Sequence, residues 1–145
     1  MLRSLSGQLG DKSLAPVGIH CILELYGCPS SLLDDPLFIR KRLQEAAKQA
    51  KSTLLGEVLH EFEPQGVTAL VLLAESHISI HTWPEQGYAA VDVFTCGQHT
   101  DPEQACLYLT QTFQAREHSL CKLPRKPPIT EAIGHASMTA TAKGQ

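Results

Sequence analysis

The side chains best equipped for chemistry are concentrated in Glu75-Ser76-His77-Ile78-Ser79-Ile80-His81-Thr82-Trp83-Pro84-Glu85. A serine follows a glutamate, and two histidines and a second hydroxyl come directly after. In an extended chain successive side chains point to opposite faces, so His77, Ser79 and His81 share one face and Ile78 and Ile80 the other. One face therefore carries two imidazoles and a hydroxyl, and Ser76 sits just before it at the end of an apolar run. The same alternation also fits a solvent-facing strand with no chemical role, and periodicity alone does not separate the two. No metal is expected. Imidazoles at i and i+4 of a strand lie ~13 Å apart, too far to share an ion held at ~2 Å.

Ser76 must be positioned by the elements around it. Upstream, Val67 to Ala74 is a Val/Leu-rich run that predicts a buried strand. Glu63-Pro64-Gln65-Gly66 is a turn signal, and Thr53 to Phe62 reads as a strand before it. Downstream, Trp83-Pro84-Glu85-Gln86-Gly87 breaks the chain, and Tyr88 to Thr95 is β-prone. Val17, Ile19, Cys21, Leu23 and Leu25 alternate with His20, Ile22, Glu24 and Tyr26, predicting a first strand with one apolar face.

Asp34-Asp35-Pro36 and Thr100-Asp101-Pro102 each offer a capping side chain followed by proline at a helix start. They predict helices over about 36–50 and from Pro102 to about Ala115, the second with Cys106, Leu109 and Phe113 facing inward. His118 to Leu123 reads as a last strand, and the prolines between Lys122 and Pro128 predict an end to regular structure. The order is strand, helix, four strands, helix, strand. It predicts an α+β fold: a two-layer α/β sandwich with a mainly antiparallel sheet and two helices on one face. The expected divisions are a flexible arm over 1–15, a folded domain over 16–130 and a flexible tail over 131–145.

The chain's 145 residues suit a single domain. Its net charge is −3, and the only basic cluster is Arg40-Lys41-Arg42 on a predicted helix, which argues against a nucleic-acid partner. No run reaches the ~18 apolar residues of a membrane span, and no apolar signal core stands near the start, so a cytoplasmic location is expected. The five cysteines are odd in number and form no C-x-x-C pair, which argues against a zinc ribbon or thioredoxin-type site. They fit a reducing compartment.

ESHISIHTWPE, followed by GYAAVDVFTCG at Gly87 to Gly97, resembles the small prokaryotic S-adenosylmethionine decarboxylases, pyruvoyl enzymes of spermidine synthesis. The likeness extends over about residues 17–123 and includes His60-Glu61-Phe62, Pro64-Gln65-Gly66-Val67 and the Asp101-Pro102 helix start. It implies that the Glu75-Ser76 bond breaks itself. Ser76 Oγ attacks the Glu75 carbonyl, the amide becomes an ester, and β-elimination followed by hydrolysis leaves a pyruvoyl group at position 76. His81 matches the residue that takes the serine Cα hydrogen, and Thr68 a hydroxyl that supports the shift.

The resemblance further implies that substrate forms a Schiff base with the pyruvoyl ketone, which accepts the electrons left by carbon dioxide. Cys96, in the FTCG block, matches the donor that returns a proton to the substrate. Phe62 matches an adenine-stacking position, with His81 as a second wall, and Glu85 matches a ribose-binding carboxylate. Trp83, Ile78 and Ser79 are expected beside the substrate. The implied assembly is a homodimer of cleaved protomers, α2β2, with S-adenosylmethionine as substrate. Arginine or ornithine decarboxylation on the same scaffold, or an uncleaved regulatory subunit, are the competing readings.

Overall fold

A computed structural model describes residues 15–128. The tail expected over 131–145, and nearly all of the arm expected over 1–15, lie outside the described residues. Six strands form one sheet: β1 (Gly18–Tyr26), β2 (Leu54–Glu61), β3 (Val67–Leu73), β4 (Ser76–Trp83), β5 (Tyr88–Cys96) and β6 (Glu117–Arg125). Their order across the sheet is β2-β3-β4-β5-β1-β6, and every neighbouring pair is antiparallel. Three helices accompany them: α1 (Ser30–Leu33), α2 (Pro36–Gln49) and α3 (Pro102–Thr112). The expected two-layer α+β sandwich is therefore present.

The two longer helices begin where the sequence places them. Asp35 accepts a hydrogen bond from Phe38 N–H at 3.0 Å, with Pro36 in the first turn. Asp101 accepts from Gln104 N–H at 3.2 Å, with Pro102 in the first turn. Each cap satisfies a donor that the helix start would otherwise leave open. Ile39, Leu43, Ala46 and Ala47 of α2, with Ala105, Cys106 and Leu109 of α3, are buried along with Phe113 just past the end of α3. They cover the sheet face formed by Cys21, Leu23, Leu25, Val71, Ile78, Ile80, Val91 and Val93. Burying each large apolar side chain contributes ~1.5–3 kcal/mol, so this layer holds the sheet flat against the helices. The opposite sheet face carries no helix among the described residues.

Two local features depart from expectation. Helix α1 spans only four residues, too short to show periodicity. It forms because Leu33 is driven into the core, and its carbonyl accepts from Thr82 Oγ1 at 2.7 Å. Secondly, the prolines after Lys122 do not end regular structure there, for β6 continues through Pro124 to Arg125. It is an edge strand paired only with β1, so a proline can sit where its missing N–H faces away from the sheet.

Candidate functional site

The β3–β4 hairpin turns in two residues, Ala74 and Glu75. Ala74 N–H donates to Thr53 O at 2.9 Å, tying this turn to the start of β2. The Glu75 side chain is gripped at both oxygens. Oε1 accepts Thr53 N–H at 2.8 Å, and Oε2 lies 3.3 Å from His99 Nε2. These donors, Thr53 N–H above all, hold the Glu75 carboxyl below the usual carboxylate range. Gly97 (φ +93) leaves room for the His99 ring, since a Cβ there would lie 2.9 Å from it. Thr100 Oγ1 donates to Gly97 O at 2.9 Å and steadies the same turn.

The main chain of Glu75 is held as firmly. Its carbonyl accepts Cys96 N–H at 2.7 Å, which draws electron density from the carbon that a nucleophile would attack. The next residue, Ser76, has φ +142, a region that L side chains rarely occupy and that costs ~1–3 kcal/mol. Ser76 Oγ lies 3.1 Å from His77 Nδ1. Cys96 is half-buried on the open sheet face. Its neighbour on β1 is Gly18, where a Cβ would come within 3.0 Å of Cys96 Sγ and 2.8 Å of the Phe94 ring. A glycine at that position leaves the thiol its room.

The other end of β4 forms a cleft of about 320 Å³ lined by Phe62, Thr68, His81, Trp83 and Glu85, together with the Gln65-Gly66 turn and Thr82. Thr68 and His81 are paired across β3 and β4, and Thr68 Oγ1 lies 2.9 Å from His81 Nδ1. Phe62 and Trp83 are 50% and 38% exposed and stand beside the cleft with ring surface open to it. Trp83 stacks on Tyr88 at 5.1 Å and Tyr88 on Tyr26 at 5.7 Å. Tyr88 donates its hydroxyl to Glu24, whose carboxylate is the main reason the phenol is pushed up to about 12. Beneath the cleft, buried Thr82 Oγ1 accepts from Val67 N–H at 2.9 Å, and Gly66 N–H donates to Asp34 at 2.9 Å. These bonds fix the turn that carries Phe62.

The sequence-predicted residues thus fall into two groups. Glu75, Ser76 and Cys96 meet at one end of β4. Thr68, His81, Phe62, Trp83 and Glu85 meet at the other. Five strand steps separate Ser76 from His81, which is ~16 Å, so one chain does not bring them together. Ser79 lies between them, and its hydroxyl donates to Asp92 at 3.3 Å. Asp92 in turn faces His20 at 2.9 Å. The Ile78 side chain is wholly buried beneath the helices and does not reach the open face.

Sequence reasoning did not single out His77, Thr53, His99 or Gly18 for roles around the bond. His77 had a signal in its adjacency to Ser76, but strand alternation points neighbours apart and hid the contact. A larger groove of about 410 Å³ lies between α2 and β2. It contains none of the predicted residues, and its Glu57 is already engaged by Arg40 and Gln44, so we do not read it as the reaction centre.

The S-adenosylmethionine decarboxylase family model matches residues 19–126. The chain is 60% identical over 116 residues to the S-adenosylmethionine decarboxylase proenzyme of Parasynechococcus marenigrum WH8102, covering 80% of this chain and 91% of the relative. It is 57% identical to the protein of the same name from Prochlorococcus marinus MIT 9313, covering 82% and 97%. The crystal structure of the adenosylmethionine decarboxylase from Aquifex aeolicus VF5 is similar with a TM-score of 0.74 and 36% identity, over 81% of this chain and 98% of that one.

Proposed function

Because this chain belongs to the S-adenosylmethionine decarboxylase family, we propose that it cuts itself between Glu75 and Ser76 and decarboxylates S-adenosylmethionine with the pyruvoyl group so formed. The observation that carries this reading is the scissile bond itself. A carbonyl polarised by Cys96 N–H adjoins a serine held at φ +142, with the glutamate before it gripped by Thr53 and His99.

The residues present fit the group. Ser76 Oγ bonds to the Glu75 carbonyl carbon, the C–N bond breaks, and the proton from Oγ ends on the freed nitrogen. Cys96 N–H holds the oxyanion that forms between these events. A base then removes the Ser76 Cα hydrogen, the Cβ–Oγ bond breaks, and Oγ leaves as part of the new Glu75 carboxylate. Water replaces the nitrogen, which departs as ammonia. The chain then consists of residues 1–75 and 76–145.

When present, the pyruvoyl group supplies the electron sink for loss of carbon dioxide. The chain's own residues do the rest. Cys96, on the strand beside position 76, is positioned to return a proton to the substrate carbon. Phe62 and Trp83 offer π faces to adenine and the sulfonium, and Glu85 offers a carboxylate to the ribose. Ser79 lines the face between the two ends, and Ile78 contributes only backbone.

The ~16 Å between Ser76 and His81 is what supports a second chain in this reading. If two open sheet faces meet about a two-fold axis near the middle of β4, the Ser76 end of one copy faces the His81 cleft of the other. The homodimer, α2β2 after cleavage, then has two complete sites, each using His81 of the opposite copy to take the Cα hydrogen, with Thr68 orienting that imidazole. The half-exposed apolar residues of the open face, Leu72 and Tyr26 among them, supply burial for such an interface. Five free cysteines suit a reducing compartment, and we assign the enzyme to the cytoplasm. Intact mass with and without phenylhydrazine tests the proposal. Two fragments, the C-terminal one carrying a reactive ketone, are expected; a chain that stays whole on long incubation would overturn it.

A further inference from the structure

Ser76 and His77 are neighbours in a strand, and neighbours in regular strands project to opposite faces. Their side chains nevertheless lie in hydrogen-bonding range, with Ser76 Oγ 3.1 Å from His77 Nδ1. The reason is the backbone. At φ +142 the serine departs from strand geometry, and its hydroxyl comes round to the imidazole on the open face. The strain therefore has a chemical consequence, because it gives a weak nucleophile a base. The chain's own His81 is ~16 Å away along β4 and has its Nδ1 engaged by Thr68.

We propose that His77 is the catalytic base of the first half of self-cleavage, a role distinct from that of His81. Its Nδ1 takes the Oγ proton as Oγ bonds to the Glu75 carbonyl carbon, and the imidazolium gives that proton to the Ser76 nitrogen as the C–N bond breaks. The imidazole ends neutral, and the product is the ester with a free amine. This requires the tautomer with hydrogen on Nε2. Three features keep the partners in register. The His77 ring sits edge-on to Phe94 at 6.1 Å, Cys96 N–H fixes the carbonyl at 2.7 Å, and Thr53 with His99 fixes the Glu75 side chain. Two histidines then divide the work: His77 makes the ester, and His81 of the opposite copy breaks it.

This inference rests on the self-cleavage proposed above, and hydroxylamine separates the two. Hydroxylamine cuts an ester at this position and leaves the amide intact. Wild-type, His77→Ala, His77→Asn and His81→Ala chains are purified under fast conditions and followed by intact mass, with and without hydroxylamine. Both His77 variants are expected to cleave about 100-fold more slowly than wild type, a typical loss for a missing proton-transfer group. They should remain amides that hydroxylamine does not cut, and added imidazole should accelerate His77→Ala. His81→Ala should instead accumulate chain that hydroxylamine cuts at position 76. Circular dichroism of each variant verifies its fold, and the asparagine variant keeps a hydrogen bond to Oγ without a proton acceptor of comparable strength. Cleavage of His77→Asn at the wild-type rate, or ester accumulation in His77→Ala, would overturn the assignment. A wild-type chain that never cleaves would instead sink the parent proposal.

Discussion

The two ends of β4 are built on opposite plans. At the Ser76 end, each polar group near the bond is tied to the fold: the carbonyl to Cys96 N–H, the carboxylate to Thr53 and His99, and the hydroxyl to His77. At the Trp83 end, large rings stand half-exposed around a cleft, and the bonds run beneath it, through Thr82 and Gly66. On the function proposed above, the first end acts on a bond of its own chain; the contacts that this chain supplies are in place when it folds, and His81 is added by the opposite copy. The other end takes a ligand, and its interactions are completed on binding. Strain suits the first end, and open aromatic surface the second.

That contrast can be broken by substitutions at either end. The largest effect is expected from Ser76→Ala, which should abolish both cleavage and decarboxylation; fragments of this variant on a denaturing gel would remove Ser76 from its role. Cys96→Ala comes next and separates main chain from side chain. It keeps the N–H on the Glu75 carbonyl and loses the thiol, so cleavage should proceed while kcat falls about 10²- to 10⁴-fold. Equal loss of both would mean that the thiol also serves cleavage. Phe62→Ala should act at the far end alone, raising KM about tenfold for a lost stacking contact worth ~1.4 kcal/mol. A fall in kcat with constant KM would contradict a binding role.

Acid should distinguish the ends more gently. The Glu75 carboxyl is held below its unfolded value by Thr53 N–H and His99. Its contribution to stability is therefore present above the unfolded carboxylate range and lost as pH falls through the lowered value. In an uncleavable Ser76→Ala background, Glu75→Gln should flatten the acid limb of Tm against pH. The smallest effect is expected from Tyr88→Phe, which loses the hydrogen bond to Glu24. It should lower stability by about 1 kcal/mol, measured by denaturant unfolding, and leave the Trp83 stack in place.

Much of this was legible in the chain. Alternation in Val17–Tyr26 and the two Asp-Pro helix starts led to the right elements, because burial and capping are local rules written in adjacent residues. The motif in the Glu75–Glu85 segment and the FTCG block led to the right family; residue types and periodicity alone did not separate it from a solvent-facing strand. Helix α1 was not legible, since Leu33 is buried through long-range packing rather than periodicity. Nor was β6 beyond Lys122, where the edge position excuses Pro124. The division of the site into two groups was within reach, since the strand spacing that keeps His77 and His81 ~13 Å apart also separates Ser76 from His81; what the pattern did not display is which residues gather at each end. The contact between Ser76 and His77 depends on one dihedral angle that no sequence pattern displays.

The central claim is that each reaction centre is assembled from two chains, and mixing tests it most directly. A Ser76→Ala chain and a His81→Ala chain, distinguishable by mass, are each expected to stay uncleaved when expressed alone. Expressed together, they are expected to form mixed dimers in which an intact Ser76 faces an intact His81. The account predicts that the His81→Ala chain, and it alone, is then cut between Glu75 and Ser76. If mixed dimers form and neither chain is cut, the two ends of β4 do not complement one another across copies, and the account fails.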